Sequence, residues 1–132
     1  MFSKDVLVGI FLGLANCEIR VESDYRSKLG YTIKPKLQIR GEMAFLRQIE
    51  RTFHQHGIHS HIREIESKLR QKPLLTISRI SSLKTIVDMI PSAYFDARNQ
   101  WPDFRTVVEI MCDKRHLTLE GLDEILKIKG LI

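Results

Sequence analysis

The chain has 132 residues, 43% of them hydrophobic and 28% charged, with a formal net charge of +5. That length and balance suit a single folded domain, residues 1–132, and exclude a disordered polymer. Its two cysteines, Cys17 and Cys112, lie too far apart for a zinc ribbon or a disulfide scaffold and fit a reducing compartment.

Residues 4–17 are apolar almost all round, which predicts a helix buried on more than one side. The apolar run Val6–Ala15 is too short to span a bilayer, and the acidic Asp5 before it is wrong for a signal peptide. No membrane association is expected, and the compartment is cytoplasmic or an organellar matrix rather than secreted. Residues 18–22 then alternate, with Glu18, Arg20 and Glu22 on one side. Ser23, Asp24, Ser27 and Gly30 supply turn formers, with Arg26 and Lys28 at the tip. Residues 31–40 alternate again: Thr32, Lys34, Lys36, Gln38 and Arg40 against Ile33, Pro35, Leu37 and Ile39.

This hairpin predicts one apolar face for a core and one basic, hydrogen-bonding face. An ordinary solvated sheet face has the same alternation. Between Arg20 and Arg40, however, six Lys or Arg residues stand against two acids, which is most of the chain's excess charge. Localised charge of this kind points to an anionic polymer. Lys and Arg neutralise phosphates while Gln and Arg read base edges, and the scarcity of aromatics favours duplex over single strand.

Phe45, Leu46, Ile49 and Phe53 predict a helix over 42–55, closed by Gly57. Residues 58–65 and 73–80 read as a second strand pair around the polar stretch 66–72, with Pro73 suited to a strand start. Arg63, Thr76 and Ser78 of this pair extend the candidate DNA face. Helices follow over 81–90, stopped by Pro91, and 101–112, where Trp101, Phe104 and the Met111 stripe belong to the core. Thr118 caps a last helix that ends at Gly130. Asp113, Glu120, Asp123 and Glu124 lie near or in it and form a solvated surface. His54, His56, His59 and His61 straddle a helix end, a turn and a strand, a poor arrangement for zinc and a better one for scattered surface or DNA-facing groups. The order αββαββα with a helical tail implies an α+β fold.

Four stretches carry a family resemblance. Phe11-Leu12-Gly13-Leu14-Ala15-Asn16-Cys17-Glu18 resembles the LAGLIDAD motif of the LAGLIDADG homing endonucleases. KLGYTIKPKLQI at 28–39 resembles the DNA-binding hairpin of intron-encoded members. ISSLKTIVDMI at 80–90 and HLTLEGLDEILKIKG at 116–130 resemble two further family segments. The resemblance covers almost the whole chain in order. It implies the αββαββα homing-endonuclease fold, whose antiparallel sheet forms a DNA-binding saddle. One motif copy implies a homodimer, packed through the motif helix at Phe11, Gly13, Leu14 and Cys17, and a near-palindromic double-stranded site. Gly13 and Cys17, four apart, would share a helix face where small residues let two backbones approach.

The resemblance further implies metal-dependent phosphodiester hydrolysis. Glu18 maps onto the motif's second acid and would bind Mg²⁺ or Mn²⁺ with a second Glu18, Asn16 contributing its amide oxygen. Three positions depart from the pattern: Asn16 replaces an acid, Ile19 replaces a glycine, and the segment after Arg40 is short. Gln38 and Arg40 are then the nearest groups to act beside the metal, and Arg98 is adjacent to a second basic active-site position. These departures bear on cutting rather than on DNA binding. A non-cutting regulator or an RNA-splicing maturase of the same fold is the alternative function.

Overall fold

The computed structural model describes residues 1–96 and 99–132. Ser3 opens the first helix, α1 (Lys4–Leu14), its side chain accepting from Val6 N. The helix stops three residues earlier than its apolar pattern predicts. At Ala15 the backbone turns extended (φ −80°, ψ 140°) and enters β1 (Ala15–Ser23). Cys17 therefore sits in a strand, and it shares no helix face with Gly13. The reason is tertiary: each residue from Ala15 to Ser23 has a partner on β2 (Tyr31–Arg40), from Ala15 opposite Ile39 to Ser23 opposite Tyr31. A ladder of that length outweighs one more turn of helix.

The predicted glycine departure at Ile19 causes no strain. Ile19 is a regular strand residue opposite Pro35, and the only non-glycine with positive φ among the described residues is Lys114. The turn between the strands is organised by Asp24. Its carboxylate accepts from Thr32 Oγ1 (2.8 Å), Arg26 N (3.0 Å) and Arg26 Nε (3.2 Å). Gly30 closes the turn at φ +86°, a conformation other residues rarely adopt.

Helix α2 (Met43–Gln55) follows, then two strands shorter than expected, β3 (His61–Arg63) and β4 (Leu74–Ile77). Residues 58–60 stay out of the ladder because Ile58 is buried in the core and His59 N donates to Ser82 Oγ at 2.9 Å. Among the described residues three α-helices follow: α3 (Ile80–Met89), α4 (Trp101–Cys112) and α5 (Leu119–Ile128). Thr118 caps α5 as its sequence predicts, accepting from Gly121 N at 3.1 Å.

The four strands form one antiparallel sheet in the order β1-β2-β4-β3. One face carries Leu37, Ile39, Leu75 and Ile77 into a core with α1, α2, α3 and the start of α4. A smaller cluster joins Ile33 to Val107 and Ile110 of α4 and to Leu122, Ile125 and Leu126 of α5, supporting the far half of the hairpin. Trp101 and Phe104 are buried as predicted. Burying apolar area on one face only leaves the opposite face of the sheet to solvent.

Candidate nucleic-acid interface

Strand register builds the open face row by row. Asn16 lies opposite Gln38, Gln38 opposite Thr76, and Thr76 opposite His61, so one row of hydrogen-bonding side chains crosses all four strands. Beside it Glu18 faces Lys36, then Arg20 faces Lys34, then Glu22 faces Thr32. On the other side Arg40 and Arg63 flank Leu74. Ser78 follows β4 directly and shares a surface hollow with Lys34 and Lys36. Arg26 and Lys28 stand at the hairpin tip. The expected pairing of the third and fourth strands forms, and its register sets His61, one of the histidines that suit surface or DNA-facing positions, in this row.

The charges are arranged in cis. Lys34 Nζ lies 3.0 Å from Glu22, and Arg20 sits between Glu18 (3.8 Å) and Glu22 (3.7 Å). Arg40 makes a two-pronged bond to Glu66, 2.7 Å from Nε to Oε1 and 3.0 Å from Nη2 to Oε2. That bond raises the Arg40 pKa and holds the Glu66 carboxyl below its usual range. Glu66 lies in the β3–β4 connection, 26 residues from Arg40, and its role is invisible in the sequence. Lys28 and Lys36 have no ion pair among the described residues.

At the base of α1, Asn16 and Glu18 alternate onto the same face of β1. Both offer oxygen, the donor that Mg²⁺ and Mn²⁺ favour. Among the described residues no three His, Cys, Asp or Glu side chains converge within one chain. At this place the chain provides one carboxylate and one amide oxygen. Arg98 lies outside the described residues.

The outer surface of α1 carries two glycines between apolar side chains. Gly9 and Gly13 are exposed, and no atom lies within 4 Å of a Cβ built at either. Val6 and Leu14 flank them at 47% and 54% exposure. Phe11, expected at a dimer contact, is instead fully buried in its own core, stacked on Phe53 at 5.9 Å between ring centroids. Helical geometry turns Phe11 inward with Leu7, while Val6, Gly9 and Gly13 share the outward stripe. The small pair on the open face is Gly9 with Gly13, four residues apart. That spacing was present in the sequence as Gly-Ile-Phe-Leu-Gly.

No protein-family model matches the chain, and no curated protein matches it. Solved structures do. The homing endonuclease I-TnaI superposes with a TM-score of 0.76 at 23% identity, over 96% of this chain and 85% of that one. The LAGLIDADG homing endonuclease I-LtrWI, solved bound to its target DNA, gives 0.72 at 23% identity over 99% of this chain. The archaeal intron-encoded homing endonuclease I-Vdi141I, solved with DNA, gives 0.77 at 14% identity over 95% of this chain and 78% of its own. The chain spans 44% of the length of I-LtrWI. Among the described residues no helix is long and apolar enough to cross a membrane. With its mixed helices, four-stranded antiparallel sheet and uncovered polar face, this chain has the LAGLIDADG homing-endonuclease fold.

Proposed function

We propose that this protein is a homodimeric, sequence-specific endonuclease for double-stranded DNA, of the homing type. The observation that carries the reading is the coincidence of two unpartnered surfaces at one point. The open stripe of α1 ends where Asn16 and Glu18 begin the polar face of the sheet. Pairing two copies through Gly9 and Gly13 brings two Glu18 carboxylates toward a common axis and joins two sheet faces into one concave surface. Two-fold symmetry then requires a near-palindromic site.

Within each subunit Lys34, Lys36, Arg20 and Arg63 meet phosphates, and the Asn16–Gln38–Thr76–His61 row offers donors and acceptors to base edges. Glu22, Arg26, Lys28, Arg40 and Ser78 extend the contact along the hairpin and β4. Glu18, with Asn16, would hold Mg²⁺ or Mn²⁺, and Gln38 stands opposite Asn16 to orient a water or a phosphate oxygen. A bound divalent ion supplies charge to activate water and to stabilise the leaving oxygen. DNA entering this face competes with Glu22 for Lys34 and with Glu66 for Arg40.

The test is a plasmid library of randomised near-palindromes incubated with Mg²⁺. Expected are cleaved members sharing one site, cutting that stops in EDTA, and binding weakened by a Lys34→Ala/Lys36→Ala double change. Specific binding with no nicking of the bound site would identify a non-cutting regulator, and preferential binding of a folded intron RNA a maturase.

A further inference from the structure

We infer that Gln100 is a positioning residue for the Asn16–Glu18 site: its carboxamide takes the place of a neighbouring strand on the free edge of β1. The inference rests on the functional reading above and names a group that the reading did not use. Strand order puts β1 at the sheet edge, where the outward-pointing backbone N–H and C=O groups have no ladder partner. At one place that edge is occupied. Cys17 N donates to Gln100 Oε1 at 2.8 Å, and Gln100 Nε2 donates to Ala15 O at 2.8 Å. A single planar amide thus satisfies the carbonyl of one residue and the N–H of the residue two further on, as a residue of a flanking strand does.

The two bonds bracket Asn16, and Glu18 follows directly. They cross 83 and 85 residues of sequence, so they tie the α1–β1 junction to the start of α4 rather than to a local turn. The clamp has a rigid root. Trp101, next to Gln100, is buried at 1% exposure, stacked on Phe95 at 6.4 Å and edge-on to Phe104 at 6.0 Å. Its backbone N donates to Asn99 Oδ1 at 3.0 Å. Without the clamp, the first residues of β1 have strand hydrogen bonds on one side only, to β2, though Ala15 stays packed in the core. The direction in which Asn16 and Glu18 leave the backbone is then free to rock about that single ladder. Groups that orient metal-binding side chains in this way matter to affinity for the ion more than to the fold.

The measurement is Mn²⁺ affinity, followed by the electron paramagnetic resonance signal of free Mn²⁺. The full-length protein is held on a duplex recovered by binding selection in EDTA. Gln100→Met keeps the volume and removes both hydrogen bonds; Gln100→Glu keeps an acceptor for Cys17 N–H but sets a carboxylate against the Ala15 carbonyl. Both are expected to weaken Mn²⁺ binding by about 10–100-fold, with duplex affinity in EDTA unchanged within about twofold, a difference too small to count as a lost contact. Either variant retaining wild-type Mn²⁺ affinity would overturn the inference. So would Mn²⁺ and duplex affinities falling by one common factor, the mark of a general loss of structure. A wild-type complex that takes up no Mn²⁺ would overturn the functional reading and this inference together, which sets that failure apart from the first two.

Discussion

Replacing Gly9 and Gly13 separates the stability of one chain from the assembly of two. Glycine in a helix interior costs about 0.8–1.0 kcal/mol relative to alanine. Gly9 is mid-helix and Gly13 lies in the last turn of Lys4–Leu14, so the gain from Gly9→Ala should be the larger. Inside one chain the change meets no obstacle, since no atom lies within 4 Å of either Cβ. The folded monomer is therefore expected to gain about 1 kcal/mol from Gly9→Ala. Between chains the sign reverses. The outward stripe of Val6, Gly9 and Gly13 is the surface through which two backbones would approach. A leucine at position 13 overpacks it at a cost of about 1–3 kcal/mol, or roughly 5–150-fold in dimer dissociation constant. Urea denaturation at high dilution reads the first effect, and sedimentation equilibrium at tens of micromolar, an approximate working range for mass action, reads the second. A wild-type chain that sediments as a monomer at that concentration, or a Gly13→Leu protein that dimerises as tightly as wild type, refutes the reasoning.

Three other outcomes follow from the charged face. Glu66→Gln frees Arg40, so DNA affinity should rise and the log–log salt slope steepen by about 0.9 per added phosphate contact, or about 1.8 in the proposed dimer; filter binding from low to moderate salt checks it, and an unchanged slope leaves Arg40 off the DNA. Glu18→Gln should abolish Mg²⁺-dependent cutting while preserving or improving duplex affinity, because it removes a carboxylate that repels phosphate when no metal is bound; retained cutting would clear Glu18 of the chemistry. Asp24 is held below the ordinary aspartate pKa by the Thr32 hydroxyl first and by Arg26 second. Its contribution to folding is thus fully present above the unfolded value of about 3.9 and is lost as pH falls through the lower folded value. Amide protection at the tip, the exchange rate set against the intrinsic rate at each pH, should fall over that range in the wild type and not in Asp24→Asn, where identical profiles would exclude Asp24 as the cause.

The alternation of residues 31–40 by itself determined the strand Tyr31–Arg40 to the residue and the division of its side chains between core and open face, because a two-residue period is a local property of extended backbone. The helix from Trp101 to Cys112 and the Thr118 cap were legible for the same reason: side-chain spacing and a capping hydroxyl act within one turn. The motif stretch was legible as a resemblance, though not as geometry. Where α1 ends was decided by the β1–β2 ladder, which takes Ala15 and Cys17 out of the helix. That the outward small pair is Gly9 and Gly13, with Phe11 inside, depended on which side of α1 the sheet and α2 occupy. Glu66 on Arg40 and Gln100 on the β1 edge join residues 26 and more than 80 positions apart. Contacts of that range leave no periodic trace in a sequence. They arise only when the sheet closes and fixes which loops meet which strand edges.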